Sequence, residues 1–202
     1  VAKVASSAGD LGVAQNIAKN MKPNPFSSQQ AGLAINVRLN IGNALLSQGK
    51  YNEAIDLFNE AEKIAVMNPW MRYALADSIK ADMAMIHQYL GFSLMNINQI
   101  GPAADEYADA LSLNPELETA KKFYPLMAEQ VKKIDETIIR LDSIVKSNPD
   151  DFKTLNELAV WYSMKGDYDR AVESLLKASV IKPDHPGVFY NLACVCIPSR
   201  TD

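Results

Sequence analysis

The sequence has little of what catalytic, metal-binding and membrane-spanning proteins need. Its two histidines, His87 and His185, lack an acidic residue three or four positions away, so neither is predicted to be a general base or a metal ligand. Its two cysteines, Cys194 and Cys196, would point about 200° apart on a helix and cannot share one metal. We therefore expect no catalytic residue, no cofactor and no metal.

Two further absences narrow the class of partner. No apolar run approaches the ~18 residues of a membrane span. A net charge of −4 gives no basic face for nucleic acid, so we expect no nucleic acid to bind.

The cysteine content and the first residue bear on location and completeness. Two cysteines are too few for a disulfide framework, which favours the reducing cytoplasm. The chain begins with Val1 and not with Met, so we also expect an N-terminal segment to be missing.

The charges that are present are unevenly spread. Residues 1–50 carry five basic and one acidic side chain, residues 51–120 carry three and eleven, and residues 121–202 carry twelve of each. Acidic side chains on solvated outer helix faces would account for this distribution. The sharper interpretation is an acidic patch that receives a basic partner, such as the basic end of another copy.

Proline recurs with a fixed period in the second half of the chain. Pro115, Pro149 and Pro183 follow one another at intervals of 34 residues. Within residues 152–185, apolar, small and turn residues occupy the positions that a helix–turn–helix repeat of this length needs: Leu155, Leu158, Ala159, Tyr162, Gly166, Tyr168, Ala171, Leu175 and Ala178. A period near 34 residues predicts a stacked helical solenoid.

This pattern resembles the tetratricopeptide repeat family. The turn Gln48-Gly49-Lys50-Tyr51-Asn52-Glu53-Ala54 is typical of that family, and Leu90, Gly91, Ala103, Tyr107 and Ala110 take its positions in another unit. The resemblance implies an all-α fold, an α-solenoid of stacked antiparallel helix pairs with right-handed superhelical twist. We expect a single array over residues 1–202, divided into a partial unit 1–26, units 27–68, 69–117, 118–151 (degenerate) and 152–185, and a partial unit 186–197.

Irregular spacing predicts several local departures from the repeat. Ser27 and Gln30 fit a capping box that opens a helix ending near Ser47. Asn68-Pro69 should start a helix that runs without a turn from about Trp70 to Asn96. Gly9-Asp10-Leu11 suggests a turn between the tail of one helix and a helix over 10–22.

The unit 118–151 departs furthest from the pattern. Pro125 stands where a small residue belongs, and Lys132-Lys133-Ile134 replaces the turn glycine. We expect a kinked or shortened first helix that starts afresh near Pro125, with a shallow break or none before Asp135. The stack should be distorted here.

In the family that the sequence resembles, partners bind in the concave groove lined by the first helix of each pair. Carried over position by position, the candidate groove residues are Asn36, Asn43, Met85, Gln88, Phe92, Met95, Lys122, Leu126, Lys153, Asn156 and Tyr190. The carboxylate clamp of one subset of the family is incomplete, because Leu39 stands at its lysine position beside Asn43 and Leu126 at its asparagine position beside Lys122.

Met85, Phe92, Met95 and Leu126 make the centre of this predicted groove apolar. Either the distorted 118–151 unit buries them, or they form an exposed patch for an amphipathic helix or an extended peptide. The resemblance therefore implies a non-enzymatic scaffold that binds a protein or peptide. One alternative is a self-association module that stacks through uncapped ends, giving a homo-oligomer, because Phe189, Leu192 and Val195 would lack cover. Another, by family analogy alone, is a regulatory or positioning region of a larger enzyme such as a bacterial glycosyltransferase.

Overall fold

Helices account for all the regular secondary structure described in a computed structural model of the chain, which covers residues 8–23, 27–67 and 76–196. These ranges hold nine helices and no strand. The helices are α1 (Ala8–Asn20), α2 (Ser28–Ser47), α3 (Tyr51–Met67), α4 (Ala76–Asn96), α5 (Ile100–Leu113), α6 (Glu118–Ser147), α7 (Phe152–Lys165), α8 (Tyr168–Ile181) and α9 (Pro186–Cys196). No helix in the described ranges is long and apolar enough to cross a membrane.

Two compact units divide the chain. Unit 1 comprises residues 1–97 and 105–124, and unit 2 comprises residues 98–104 and 125–202. Helices α5 and α6 each contribute residues to both units. The division into tetratricopeptide-like repeats stays a prediction, because these two units do not test it.

Unit 1 is built from helices that pack in succession. Helix α2 packs against α1, α3 and α4, and α3 also packs against α4. The largest side chains of its core are fully buried and come from every one of these helices: Leu11, Ile35, Leu45, Leu57, Phe58, Ile86 and Leu90. A ribbon of core between neighbouring helices is what a stacked array needs.

Glycines let the paired helices of unit 1 approach closely. A Cβ on Gly42 of α2 would lie 2.6 Å from Cζ of Phe58 on α3, closer than carbon atoms can approach without displacement. Gly42 and Phe58 are sixteen residues apart, and so are Gly91 and Tyr107. A Cβ on Gly91 would lie 3.1 Å from the Tyr107 ring. In both pairs the ring of the second helix lies against the backbone of the first.

Unit 2 confirms the predicted helix pair most fully. Helices α7 and α8 pack together, and α9 packs on both. Asp151 caps α7 by accepting hydrogen bonds from the backbone amides of Lys153 and Thr154. Gly166 ends α7 with φ 89°, the left-handed conformation that glycine adopts at low cost. The predicted core positions are buried: Leu155, Leu158, Ala159, Tyr162, Ala171, Leu175 and Ala178.

Pro125 does not start a new helix, so that expectation was wrong. Helix α6 runs from Glu118 to Ser147 with Pro125 inside it, and there is no break before Asp135. Proline removes one hydrogen bond and disfavours a helix interior by about 3 kcal/mol. Apolar residues on either side of it are nevertheless buried at helical spacing, namely Ala120, Met127, Ile134, Ile138 and Leu141. Burial of this stripe explains why one helix continues.

The predictions for the first half of the chain had mixed outcomes. The N-cap half of the expected capping box is confirmed, because the Ser27 hydroxyl accepts a hydrogen bond from the Gln30 backbone amide at 3.3 Å. The turn at Gly9-Asp10-Leu11 is wrong, since α1 runs through it. Glycine and aspartate are common both in turns and at helix starts, so the sequence signal was ambiguous. The helix expected from Trp70 is described only from Ala76 to Asn96, and Trp70 lies outside the described residues.

We predict opposite effects of alanine at two glycines of α2. Gly42→Ala should lower the free energy of unfolding by about 1–3 kcal/mol, because the new methyl group overlaps the Phe58 ring. Gly32→Ala should raise it by about 0.5–1 kcal/mol, because a Cβ there meets nothing within 4 Å and alanine favours the helix. Urea unfolding of both variants measures this, and equal stabilisation by the two would contradict the close approach of α2 and α3.

Candidate partner-binding site

Helix α4 carries four of the residues predicted to line the groove. Met85, Gln88, Phe92 and Met95 recur at three- and four-residue spacing, so they share one face of the helix. Met85, Phe92 and Met95 are partly exposed. Gln88 is only 8% exposed and therefore offers little surface to a partner.

Helix α2, which packs against α4, supplies two more predicted residues in the same unit. Asn36 is exposed and Asn43 is partly exposed, whereas Leu39 between them is buried. We call Asn36, Asn43, Met85, Phe92 and Met95 the α2–α4 face. It offers two amides and three apolar side chains.

Aromatic contacts fix the position of Phe92. Its ring meets that of Phe123 edge-on with centroids 6.5 Å apart, and Phe123 stacks on Tyr107 at 6.0 Å. The ammonium group of the predicted groove residue Lys122, which is exposed, lies 5.2 Å from the Phe123 centroid. Offset and edge-on ring pairs of this kind stabilise a fixed geometry.

Tyr107 supports this cluster from within the core. Its side chain is fully buried, and its hydroxyl has no hydrogen-bond partner among the described residues. Burial raises the pKa of Tyr107 well above its usual range, so the phenol stays protonated. The residue is therefore suited to packing and not to proton transfer.

Unit 2 contains the other predicted groove residues. Asn156 on α7 accepts a hydrogen bond from the Asn191 side-chain amide on α9 at 3.0 Å. Lys153 is exposed, Tyr190 is 70% exposed and Leu126 is 53% exposed. Leu126 thus belongs to a different unit from Met85, Phe92 and Met95, and none of these four side chains is buried.

Sequence reasoning missed a charged pair beneath the surface of unit 1. His87 on α4 is 8% exposed, and its Nδ1 lies 2.8 Å from Oε2 of Glu106 on α5. The sequence indicated no partner for His87, because no acidic residue lies three or four positions away from it. The contact joins residues 19 positions apart on two successive helices, a spacing that the sequence analysis did not consider.

Further acids surround this pair. The hydrogen bond to Glu106 raises the pKa of His87, burial opposes the rise, and the charges of Glu62 and Asp109 add to it. Burial raises the pKa of Glu62 on α3, and the charge of His87 opposes this. No group of three or more metal-ligating side chains that could hold an ion is found among the described residues. The arrangement is a partly buried hydrogen bond that joins α4 to α5 and becomes an ion pair when His87 is protonated.

We predict that His87 makes stability depend on pH near neutrality. Because its folded pKa is raised above the ordinary value of about 6.5, its contribution is complete below that pH and is lost as pH rises through the folded pKa. The urea midpoint should therefore fall as the pH rises above about 6.5. His87→Gln should remove this fall, whereas His185→Gln, at the exposed second histidine, should keep it. An unchanged pH profile in His87→Gln would contradict the assignment.

Two segments of the sequence match models of a known family. A TPR repeat model matches residues 42–82, and a tetratricopeptide repeat model matches residues 154–187. No curated protein sequence matches the chain.

Solved structures of tetratricopeptide repeat proteins resemble the chain only loosely. "Crystal structure of YrrB: a TPR protein with an unusual peptide-binding site" is 20% identical with a TM-score of 0.44, covering 94% of this chain and 87% of that chain. "Crystal structure of MamA" is 19% identical with a TM-score of 0.44, covering 87% and 88% respectively. MamA from Desulfovibrio magneticus RS-1 is 18% identical with a TM-score of 0.36, covering 82% and 85%.

The matched segments coincide with observed structure in both units. The first covers the end of α2 and all of α3, and the second covers nearly all of the α7–α8 pair and the start of α9. The glycine turns at Gly49 and Gly166 lie inside them, with φ of 72° and 89°. The predicted all-α fold class is confirmed for the described residues, with packed helices in each unit. Residues 42–82 and 154–187 therefore carry tetratricopeptide repeats.

Proposed function

We propose that the chain is a non-catalytic scaffold that binds a peptide or protein partner on the α2–α4 face. Protein–protein interaction in general follows from the tetratricopeptide repeats. The finer statement, which face receives the partner, is supported by the composition and exposure of the side chains on α2 and α4.

One observation carries this choice of face. Met85, Phe92 and Met95 remain partly exposed on one side of α4, while the interior of unit 1 is filled by other apolar side chains. Methionine adapts its shape to different apolar partners. Asn36 and Asn43 can donate and accept hydrogen bonds with a peptide backbone. An apolar strip flanked by amides suits an amphipathic helix or an extended segment.

A non-catalytic role is supported by the chemistry of the groups that could react. His87 is buried against Glu106, and Tyr107 is held protonated in the core, so neither offers a solvent-accessible acid or base. The acidic net charge supports a protein partner over nucleic acid. A cytoplasmic location stays a prediction from cysteine content.

We predict that a charge at Met95 weakens partner binding. Peptides selected from a displayed random library on the intact chain should bind Met95→Lys about tenfold or more weakly than wild type, because the ammonium group interrupts the apolar strip. Fluorescence polarisation of a labelled selected peptide measures the affinity. Met95 is preferable to Phe92 for this test because the Phe92 ring packs on Phe123 and its loss would disturb folding.

Val66→Lys is the matched control for that experiment. Val66 is 55% exposed and, like Met95, is the penultimate residue of a helix in unit 1, but it lies on α3. The affinity of Val66→Lys for the selected peptide should stay within about twofold of that of wild type. If Met95→Lys binds as tightly as Val66→Lys with helicity intact, the α2–α4 face is not the binding surface.

Self-association remains the alternative function, and exposed aromatic residues on α9 favour it. Phe189 is 53% and Tyr190 is 70% exposed. Val195, which was expected to lack cover, is only 4% exposed, so that part of the expectation was wrong. Exposed aromatic side chains of this size are frequent anchors of protein interfaces.

This alternative predicts a molar mass that rises with concentration. Light scattering should show the rise for wild type and for Leu176→Ser, a control at the same 53% exposure on α8. In Phe189→Ser, the increase in molar mass should occur at about tenfold higher protein concentration, because an interface anchor is lost. A constant monomer mass in wild type would exclude self-association through α9.

A further inference from the structure

Unit 1 contains a cavity that the proposed peptide-binding face does not use. Its volume is about 370 Å³, and its wall is formed by the end of α1 and the residues after it, by α2, and by the last turns of α3. Ligand pockets in proteins usually occupy about 300–1,000 Å³. The α2 residues that line the cavity include Ala31, which is buried. Neither Asn36 nor Asn43, the α2 residues of the α2–α4 face, lines the cavity.

The wall of this cavity is mostly apolar. Met21 and Pro23 follow α1, and Ile64 and Met67 close the other side from α3. Met67 is 73% exposed, so apolar surface at the rim remains open to solvent. An exposed methionine beside a concave apolar wall is favourable for an adaptable ligand contact.

Three lysines surround the apolar wall. Lys19, Lys22 and Lys63 line the cavity and are exposed, and none forms an ion pair within the described part of the chain. Lys19 and Lys63 oppose the raised pKa values of Asp56 and Glu62, so those acids lie within electrostatic reach of the lysines but are not bonded to them.

The remaining charges of the cavity neutralise each other. Arg38 donates to Glu60 at 2.9 Å and to the carbonyl oxygens of Ala18 and Met21 at 2.6 and 3.3 Å. Its guanidinium is therefore occupied, and Glu60 is the one acid in the lining. Lys19, Lys22 and Lys63 therefore have no bonded counter-ion in the lining, although Asp56 and Glu62 lie within electrostatic reach.

Helix dipoles explain only one of these lysines. Lys19 lies in the last turn of α1, where a cation is favourable. Lys22 lies beyond that helix, and α3 has no basic residue in its last turn, so Lys63 is not placed by its C-terminus. Arg38 already satisfies carbonyls at the end of α1. Two lysines thus have no structural role in the observed contacts.

We infer that this cavity binds a small amphipathic monoanion, with its acid group among Lys19, Lys22 and Lys63 and its apolar chain against Met21, Ile64 and Met67. At about 30 Å³ for each water-sized group, the cavity holds roughly a dozen such groups. A straight-chain fatty carboxylate of about ten carbons is therefore a suitable probe.

Methyl NMR of the intact chain tests this inference directly. With ¹³C-labelled methionine methyl groups and decanoate at low ionic strength, the Met21 and Met67 signals should shift saturably below about 1 mM, while Met164 in unit 2 should not. Decylammonium, which has the same chain length and the opposite charge, should produce no saturable shift.

Charge variants locate the head group. Lys22→Gln combined with Lys63→Gln should weaken decanoate binding about fivefold or more, since two attractive charges are lost. Lys50→Gln combined with Lys121→Gln removes the same charge from exposed positions in unit 1 outside the cavity and should leave the affinity for decanoate within about twofold. No saturable shift, equal binding of decylammonium, or equal affinity of the two double variants would each overturn the inference.

Discussion

Close approach of paired helices is the constraint on which unit 1 depends. The Phe58 ring lies against the backbone at Gly42, and the Tyr107 ring lies against the backbone at Gly91. Neither ring could keep its place if the facing residue had a side chain, because interiors are packed too densely to absorb an added carbon without displacement. Each glycine therefore sets the distance between two helices. The spacing between glycine and aromatic ring is sixteen residues in both pairs.

Unit 2 uses the same positions with different sizes. Ala159 and Leu175 are also sixteen residues apart and are both buried. Alanine is larger than the glycine of unit 1, and leucine is smaller than the aromatic residue of unit 1. The combined volume of the two residues is therefore similar in both units. Pro125 and Leu141 are also sixteen residues apart, but they lie about 24 Å from each other along the single helix α6 and form no such pair. The fold thus depends on complementary sizes at these positions and not on one residue type.

This dependence explains how far the sequence could predict the fold. Turn glycines, caps and small residues are local signals, so the α7–α8 pair and the start of α2 were confirmed at the expected residues. Pro125 misled because its local effect opposes helix continuation while the buried stripe from Ala120 to Leu141 favours it. A single-residue propensity cannot be weighed against burial until the packing is known.

The candidate site was less predictable for a related reason. Family positions identify which residues of α2 and α4 share a face, but not how much of each side chain remains exposed. Gln88 occupies a groove position and is buried, whereas Phe92 four residues later is partly exposed. The His87–Glu106 pair joins two helices and therefore has no signal within either one. Both features depend on the neighbouring helix, whose position the sequence pattern does not give.

Helix α2 joins the two proposed surfaces of unit 1 and decides whether they influence each other. Asn36 and Asn43 belong to the α2–α4 face, Ala31 and Arg38 line the cavity, and Gly42 packs on Phe58. Coupling between two sites requires an element with two arrangements that both ligands favour unequally. The contact at Gly42 leaves α2 no room to move towards α3. Arg38 also holds α2 to α3 through Glu60, and to the end of α1 and the residue after it through the carbonyl oxygens of Ala18 and Met21. A helix fixed in this way transmits little displacement, so the peptide and the amphiphile should bind independently.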